Sequence, residues 1–274
     1  MAFAASLPNL FVDVNAAMNG MPEVAFGDIV GGNLLDLTLV MAVAVLFSAK
    51  SLPAESEMAQ KSAIFTTVIA VLPILLVWDG HLNRADGVIL LVAFALYTWW
   101  LFAKEDRFKK VYRGRPSKTP KSIFSFAIDI AKIIIFIALL LVASHFIVGS
   151  AQTFSEKLNI PLSLVGIFII GLGNVFPEAY FAIISARRQE GWLILGDLMG
   201  SVIVCATLVL GIIALFFPFR IDDLSPFLIT RIFTVIAALL FVLFIRTGKK
   251  ITKNEGLLFL AIYIVFIMVQ AFQN

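Results

Sequence analysis

The chain has 274 residues, of which 61% are hydrophobic and only 14% charged, and its mean hydropathy is +1.00. A soluble globular domain carries about 25% charged residues. The composition therefore excludes one, and several apolar runs of roughly 20 residues indicate a polytopic helical membrane protein. The net charge of +3 is small, the single cysteine, Cys205, excludes an intrachain disulfide, and Met1-Ala2-Phe3-Ala4-Ala5 lacks the basic start of a cleavable signal.

In chain order the apolar segments are Ala2–Met18, Val24–Phe47, Ala63–Trp78, Ala85–Phe102, Phe124–Val148, Leu162–Ala186, Trp192–Phe217, Pro226–Ile245 and Gly256–Phe272. The first contains Pro8, and the second opens on Gly27-Asp28-Ile29-Val30-Gly31 and continues to Thr38-Leu39-Val40. The sixth contains Gly171-Leu172-Gly173-Asn174-Val175-Phe176-Pro177-Glu178. The seventh carries Gly196-Asp197-Leu198-Met199-Gly200-Ser201 and then Thr207-Leu208-Val209.

Pro8 and Pro177 stand 169 residues apart, and the same interval relates Gly27-Asp28 to Gly196-Asp197, Gly31 to Gly200 and Thr38-Leu39-Val40 to Thr207-Leu208-Val209. A register held without a gap over some thirty residues marks an internal duplication. The first repeat takes residues 1–103 (motif helices 2–18 and 24–47), and the second takes 122–274 (motif helices 162–186 and 192–217). The second repeat has an apolar span before its motif and the first has none. The expectation is a ten-helix fold lacking its first helix.

Between the repeats lies a basic linker, residues 104–121, with Lys104, Arg107, Lys109, Lys110, Arg113, Arg115, Lys118 and Lys121 against Glu105 and Asp106. The positive-inside rule puts it in the cytoplasm, and alternation then puts Arg187-Arg188 and Lys249-Lys250-Lys253 on the same side. The helices carrying Pro8 and Pro177 consequently run in opposite directions. The repeats are inverted, an arrangement that places a substrate site near the midplane between them.

Glu178 sits in an otherwise apolar helix, where an ionisable group costs roughly 2.5–3.5 kcal/mol on insertion scales and marks a functional position by default. Pro177 donates no backbone hydrogen bond and displaces the carbonyl of Gly173, so a broken helix with freed carbonyls is expected beside a carboxylate. Asp28 and Asp197 each follow a glycine at the start of an apolar run and read as helix N-caps. Asp13, one turn after Asn9, either lines the pathway or sits at the outer mouth. Asp129 and Lys132 are spaced to pair on one helix face, His81 and His145 read as span-end residues, and Trp78, Trp99, Trp100 and Trp192 fit interfacial belts.

The paired motifs resemble the α-repeats of the cation/calcium antiporter superfamily, which includes sodium/calcium exchangers and whose repeats read G-T-S-x-P-E and then G-N-x-x-G-S-N-x-x-N or D. The resemblance covers essentially the whole chain. It implies an all-α polytopic membrane protein of about nine transmembrane helices, with two inverted repeats and proline-broken helices at the centre. It also implies ion-site positions at Ala5, Ser6, Asn9, Gly32 and Asp36 and at Asn174, Val175, Glu178, Ser201 and Cys205. Backbone carbonyls around Ala2 and Gly171, freed by Pro8 and Pro177, would contribute.

The departures from the pattern carry chemistry. Asn9 stands in place of a glutamate and Asp36 in place of an asparagine, so the first repeat's charge is moved and not lost. Glu178 and Asp36 together supply −2, which matches one divalent cation. Gly32 and Val175 bring no hydroxyl, and Cys205 is a poor ligand for a hard cation but tolerates softer metals.

The implied function is a secondary active antiporter, not an enzyme, that exchanges a divalent cation, foremost Ca²⁺, for Na⁺ or H⁺ by alternating access. It would need no cofactor beyond the transported ions. Its partners would be metal cations and the lipid bilayer, with no nucleic acid, and a homo-oligomer is left open. The location would be the plasma membrane, the inner membrane in a prokaryote. Two alternatives stand beside it: a degenerate, non-transporting protein of the same fold, suggested by the altered ligands, and an intramembrane aspartyl hydrolase using Asp28 and Asp197.

Overall fold

The computed structural model describes residues 2–103, 123–221 and 223–273, without the side chains of 2, 123–131 and 273. The basic linker 104–121, Asp222 and the Asp129 side chain of the expected Asp129–Lys132 pair lie outside the described residues.

A short turn of helix, Ala2–Ala5, is followed across Ser6 by α1 (Leu7–Met18). After it come α2 (Pro22–Phe47), α3 (Glu57–Asp79), α4 (Arg84–Phe102), α5 (Ile123–Leu158), α6 (Leu162–Arg187), α7 (Gly191–Phe216), α8 (Ser225–Gly248) and α9 (Lys253–Gln273). Among the described residues, eight helices, α2 to α9, are long and apolar enough to cross a membrane. The architecture is all-α and polytopic, and the nine expected segments correspond to α1–α9 in order. The largest difference is α5, which runs ten residues past its expected end, so His145 lies well inside a helix and not at a span end.

The helix starts have local causes. Pro22 opens α2, where a fixed φ and a missing N–H cost nothing. The Ser56 hydroxyl accepts from the Ala59 N–H at 3.0 Å ahead of α3, and Asn83 with Asp86 forms a capping box ahead of α4.

The duplicated helices α2 and α7 form the centre, and both are mostly enclosed by protein. Each widens into a π-helical turn at the same place in the repeat, Asp36–Val40 in α2 and Val204–Val209 in α7. In such a turn the N–H reaches back five residues: the Met41 N–H bonds the Asp36 carbonyl. The threonine of each duplicated Thr-Leu-Val donates its hydroxyl to the carbonyl four residues back, Thr38 to Leu34 at 2.6 Å and Thr207 to Ile203. The repeated threonine thus supplies a donor where the regular ladder is disturbed.

Helix α2 crosses α6 at van der Waals contact of the two backbones. A Cβ on Gly27 would lie 2.6 Å from the Ser163 carbonyl oxygen, and one on Gly31 would lie 2.9 Å from the Ile167 Cα. Small residues permit this approach between membrane helices. The sequence-equivalent Gly196 has nothing within 4 Å of its Cβ position, so the duplication is not matched by equal packing.

Two short antiparallel ladders join the halves. β1 (Leu52–Pro53) pairs with β4 (Lys250–Ile251), and β2 (His81–Leu82) pairs with β3 (Phe219–Arg220). Leu52, Leu82 and Ile251 are fully buried. Outside this core, α5 presents Ile134, Phe136 and Phe146 to the surroundings, and Trp78, Trp99 and Trp192 lie exposed near helix ends, as interfacial residues do.

Candidate cation site

The two prolines act differently on their helices. Pro8 sits in the first turn of α1, just after the break at Ser6. Pro177 lies inside the helix Gly171–Arg187, which continues through it. Its missing N–H leaves the Gly173 carbonyl without the usual partner, and the departure from α geometry falls upstream, in the π-helical turn Val165–Ile170. There the Gly171 N–H donates to the Gly166 carbonyl.

These helices bring the motif residues of both repeats into one interior. The Ser201 hydroxyl of α7 donates to Glu178 Oε1 of α6 at 3.1 Å and lies within hydrogen-bonding reach of Asp36 on α2. The other oxygens facing this space, Asp36 Oδ1 and Glu178 Oε2, are buried and have no protein hydrogen-bond partner. Asn9 of α1 donates its amide to the Cys205 sulfur of α7 at 3.5 Å, so two of the residues that depart from the family pattern touch each other across the repeats. Ser6, Gly32, Gly171 and Val175 are buried nearby, while Pro177 is exposed. The Ala2 side chain lies outside the described residues. A cavity of about 240 Å³ reaches Glu178, lined by Ala4, Ala5, Pro177, Phe181 and Asp197.

Asp28 and Asp197 are not N-caps. Pro22 and Gly191 begin their helices, with Met21 and Glu190 as the capping positions, so both aspartates fall in the second turn and are buried. Asp28 Oδ2 accepts from the Asn174 amide at 2.6 Å, which ties α2 to α6. Its carboxyl also faces that of Asp13 within hydrogen-bonding reach. Asp13 is 0% exposed, so it lies inside the protein and not at an outer mouth. The signal for it was present: Asn9 and Asp13 share a helix face, and both helix starts are set by residues ahead of the Gly-Asp pairs.

The interior therefore gathers Asp13, Asp28, Asp36 and Glu178, with Asp197 at the edge of the cavity. Among the described residues the one buried base, Arg231, donates to the Val77 carbonyl at 3.5 Å. Four carboxyl groups without a basic partner are an arrangement that burial penalises unless cations or protons join them. The carboxyls meet in pairs, and no three of the described His, Cys, Asp or Glu side chains form a single metal cage.

A polytopic helical membrane protein that encloses carboxylates between its central helices defines the class of membrane cation transporters. The sodium/calcium exchanger protein family matches residues 1–103 and 129–272, and the chain belongs to that family. It is 24% identical to the sodium/calcium exchanger MaX1 of Methanosarcina acetivorans, across 98% of this chain and 86% of that one. It is 26% identical to the putative antiporter CaxA of Alkalimonas amylolytica, across 96% and 83%. The fold matches the sodium–calcium exchanger NCX_Mj soaked with Na⁺ and Ca²⁺, with a TM-score of 0.69 and 26% identity over 98% of this chain and 83% of that one. The protein is thus a multi-pass membrane cation antiporter and not an enzyme.

Proposed function

We propose that the protein exchanges a divalent cation, Ca²⁺ foremost, for Na⁺ or H⁺ by alternating access. The observation that carries this reading is the Ser201 hydroxyl standing between Asp36 of one repeat and Glu178 of the other. A carboxylate from each half supplies the −2 that neutralises a divalent ion, and hard divalent cations take oxygen ligands. Asn9, Asn174 and Ser6 would add neutral oxygens, with the backbone around Ala2 and Gly171. Cys205 and Gly32 complete the wall. The name of one relative, a sodium/calcium exchanger, supports the same cargo class, and that of another, a putative antiporter, supports exchange.

The membrane would be the plasma membrane, with residues 104–121 on the cytoplasmic side, as their basic character suggests. A cysteine placed at Lys110 or Arg187 should resist labelling from outside intact cells. Transport is tested by ⁴⁵Ca²⁺ uptake into proteoliposomes under an imposed Na⁺ or pH gradient. Gradient-driven uptake that disappears in Glu178→Gln is expected. Uptake no greater than in empty vesicles, with every divalent cation tried, rejects the exchange reading.

A further inference from the structure

Between α2 and α6, toward their C-terminal ends, lies an apolar groove with a volume of about 330 Å³. Leu39 and Val43 form one wall, and Leu172, Phe176, Ala179 and Ile183 form the other. Each set recurs at three- and four-residue steps, so each occupies one face of its helix. No acidic residue lines the groove, and Phe176 is 65% exposed, so it opens outward.

One further step of four residues carries the walls on to Phe47 in α2 and Arg187 in α6. There the Arg187 guanidinium lies over the Phe47 ring, 5.5 Å from its centroid. The groove thus ends at a fixed cation. More positive charge gathers at that end: Arg188 follows Arg187, Lys50 lies three residues past Phe47, and Gln189 joins the two loops by donating to the Ser48 hydroxyl at 3.4 Å. The β1–β4 ladder brings Lys250 opposite Pro53, with Lys249 beside it. All five basic side chains are exposed, and none is ion-paired with a described residue. Against them these loops carry one acid, Glu190.

The dimensions fit one leaflet. At 1.5 Å per residue the walls run about 12 Å from Leu39 to Phe47 and about 22 Å from Leu172 to Arg187, which brackets the roughly 15 Å of hydrocarbon on one side of a bilayer midplane. Any lipid tail can fill an outward apolar groove of a membrane protein; the charge at its end is what selects. A zwitterionic headgroup brings its own ammonium to the basic residues, whereas an anionic phosphodiester brings only negative charge. We infer that the groove binds one anionic phospholipid, with its phosphate at Arg187 and Arg188 and one acyl chain laid along Ile183 and Val43 toward Leu172. Val175 also lines the groove and stands three residues before Glu178, so the seated chain packs on the part of α6 that carries the candidate cation site.

The test is native mass spectrometry of the purified chain in detergent, titrated with phosphatidylglycerol or with phosphatidylcholine of the same acyl chains. One phosphatidylglycerol per chain should be retained well below the concentration at which phosphatidylcholine is. Arg187→Gln with Arg188→Gln removes two charges at headgroup level and should weaken that retention about thirtyfold. Ala179→Trp fills the groove and should abolish it, whereas Ile134→Trp on the exposed face of α5 should not. Folding is checked by elution as a single species. Should a variant fail it, the native protein carries the test: phosphatidylglycerol must raise its Tm with log concentration, more than phosphatidylcholine does, and glycerol 3-phosphate must leave it unchanged. Equal effects of the two lipids, or phosphatidylglycerol retention that survives Ala179→Trp or the loss of both arginines, overturn the site. A Tm raised as far by glycerol 3-phosphate alone overturns the lipid as occupant and leaves a free anion in its place.

Discussion

The crossing of α2 and α6 makes a quantitative prediction about two glycines that the sequence presents as equals. Alanine at Gly27 puts a Cβ 2.6 Å from the Ser163 carbonyl oxygen, 3.2 Å from the Ile167 nitrogen and 3.3 Å from the Gly166 Cα. All three are backbone atoms, so no side-chain rotation relieves the clash, and the helices must separate by about 1 Å to restore ordinary contact near 3.5–4.0 Å. Overpacking of this kind costs about 1–3 kcal/mol. Alanine at Gly196 meets nothing within 4 Å and gains up to about 1 kcal/mol of helix propensity. Thermal unfolding of both purified variants should therefore show Gly27→Ala lowered, by about 2–4 °C for each kcal/mol lost, and Gly196→Ala unchanged or slightly raised. Because Gly27 precedes Asp28, the same separation stretches the 2.6 Å Asn174–Asp28 bond, and cation binding should weaken in parallel. Equal destabilisation of the two variants would refute the close crossing and with it the asymmetry between the repeats.

Asp36→Asn should abolish divalent binding nearly as completely as Glu178→Gln, because either change leaves the ion half neutralised; titration calorimetry on both variants decides it. Adding Asn9→Glu to Asp36→Asn returns the charge to the first repeat and should recover part of the binding. Thr38→Val and Thr207→Val each remove the donor to a buried carbonyl beside a π-helical turn and should cost about 1–3 kcal/mol, measured as loss of thermal stability. The Ser225 hydroxyl and N–H hold the Asp223 carboxyl below the usual carboxylate range. The start of α8 should accordingly be firm at neutral pH and loosen as pH falls through that depressed value. Amide exchange at Phe227 reads this, and Asp223→Ala should flatten the pH dependence.

The spans were legible because long apolar runs between polar breaks have one stable outcome in a bilayer, and the repeat was legible because Pro, Gly-Asp and Thr-Leu-Val keep a common register. The π-helical turns were not, since neither Asp36–Val40 nor Val204–Val209 contains a proline or glycine that would mark a break in the helix. Asp28 and Asp197 misled for a definable reason. Gly-Asp ahead of an apolar run is the pattern of a capped helix start, but Pro22 in one case and Gly191 in the other had begun the helix a turn earlier. In the candidate cation site, the helices bring Glu178, Ser201 and Asp36, three residues named from the motif, next to one another. The Asn9–Cys205 contact and the Asp13–Asp28 pair depend on how separate helices cross, which spacing along one chain does not encode.

The two small ladders constrain what the molecule is mechanically free to do. One fastens the loop after α2 to the loop between α8 and α9, and the other fastens the loop between α3 and α4 to the one after α7. Repeat register maps His81-Leu82 onto Lys250-Ile251, so the fasteners are counterparts that lie at opposite ends of the helices. A bundle buttoned at both ends resists being pried apart like a hinge, because any hinge that opens one end must strain the other. Leu52, Leu82 and Ile251, buried at the fasteners, add an apolar penalty to slipping either one. Helices α1, α5 and α6 carry no strand of either fastener. Asn9, Asp13, Asn174 and Glu178 all lie on α1 and α6, outside the fastened loops.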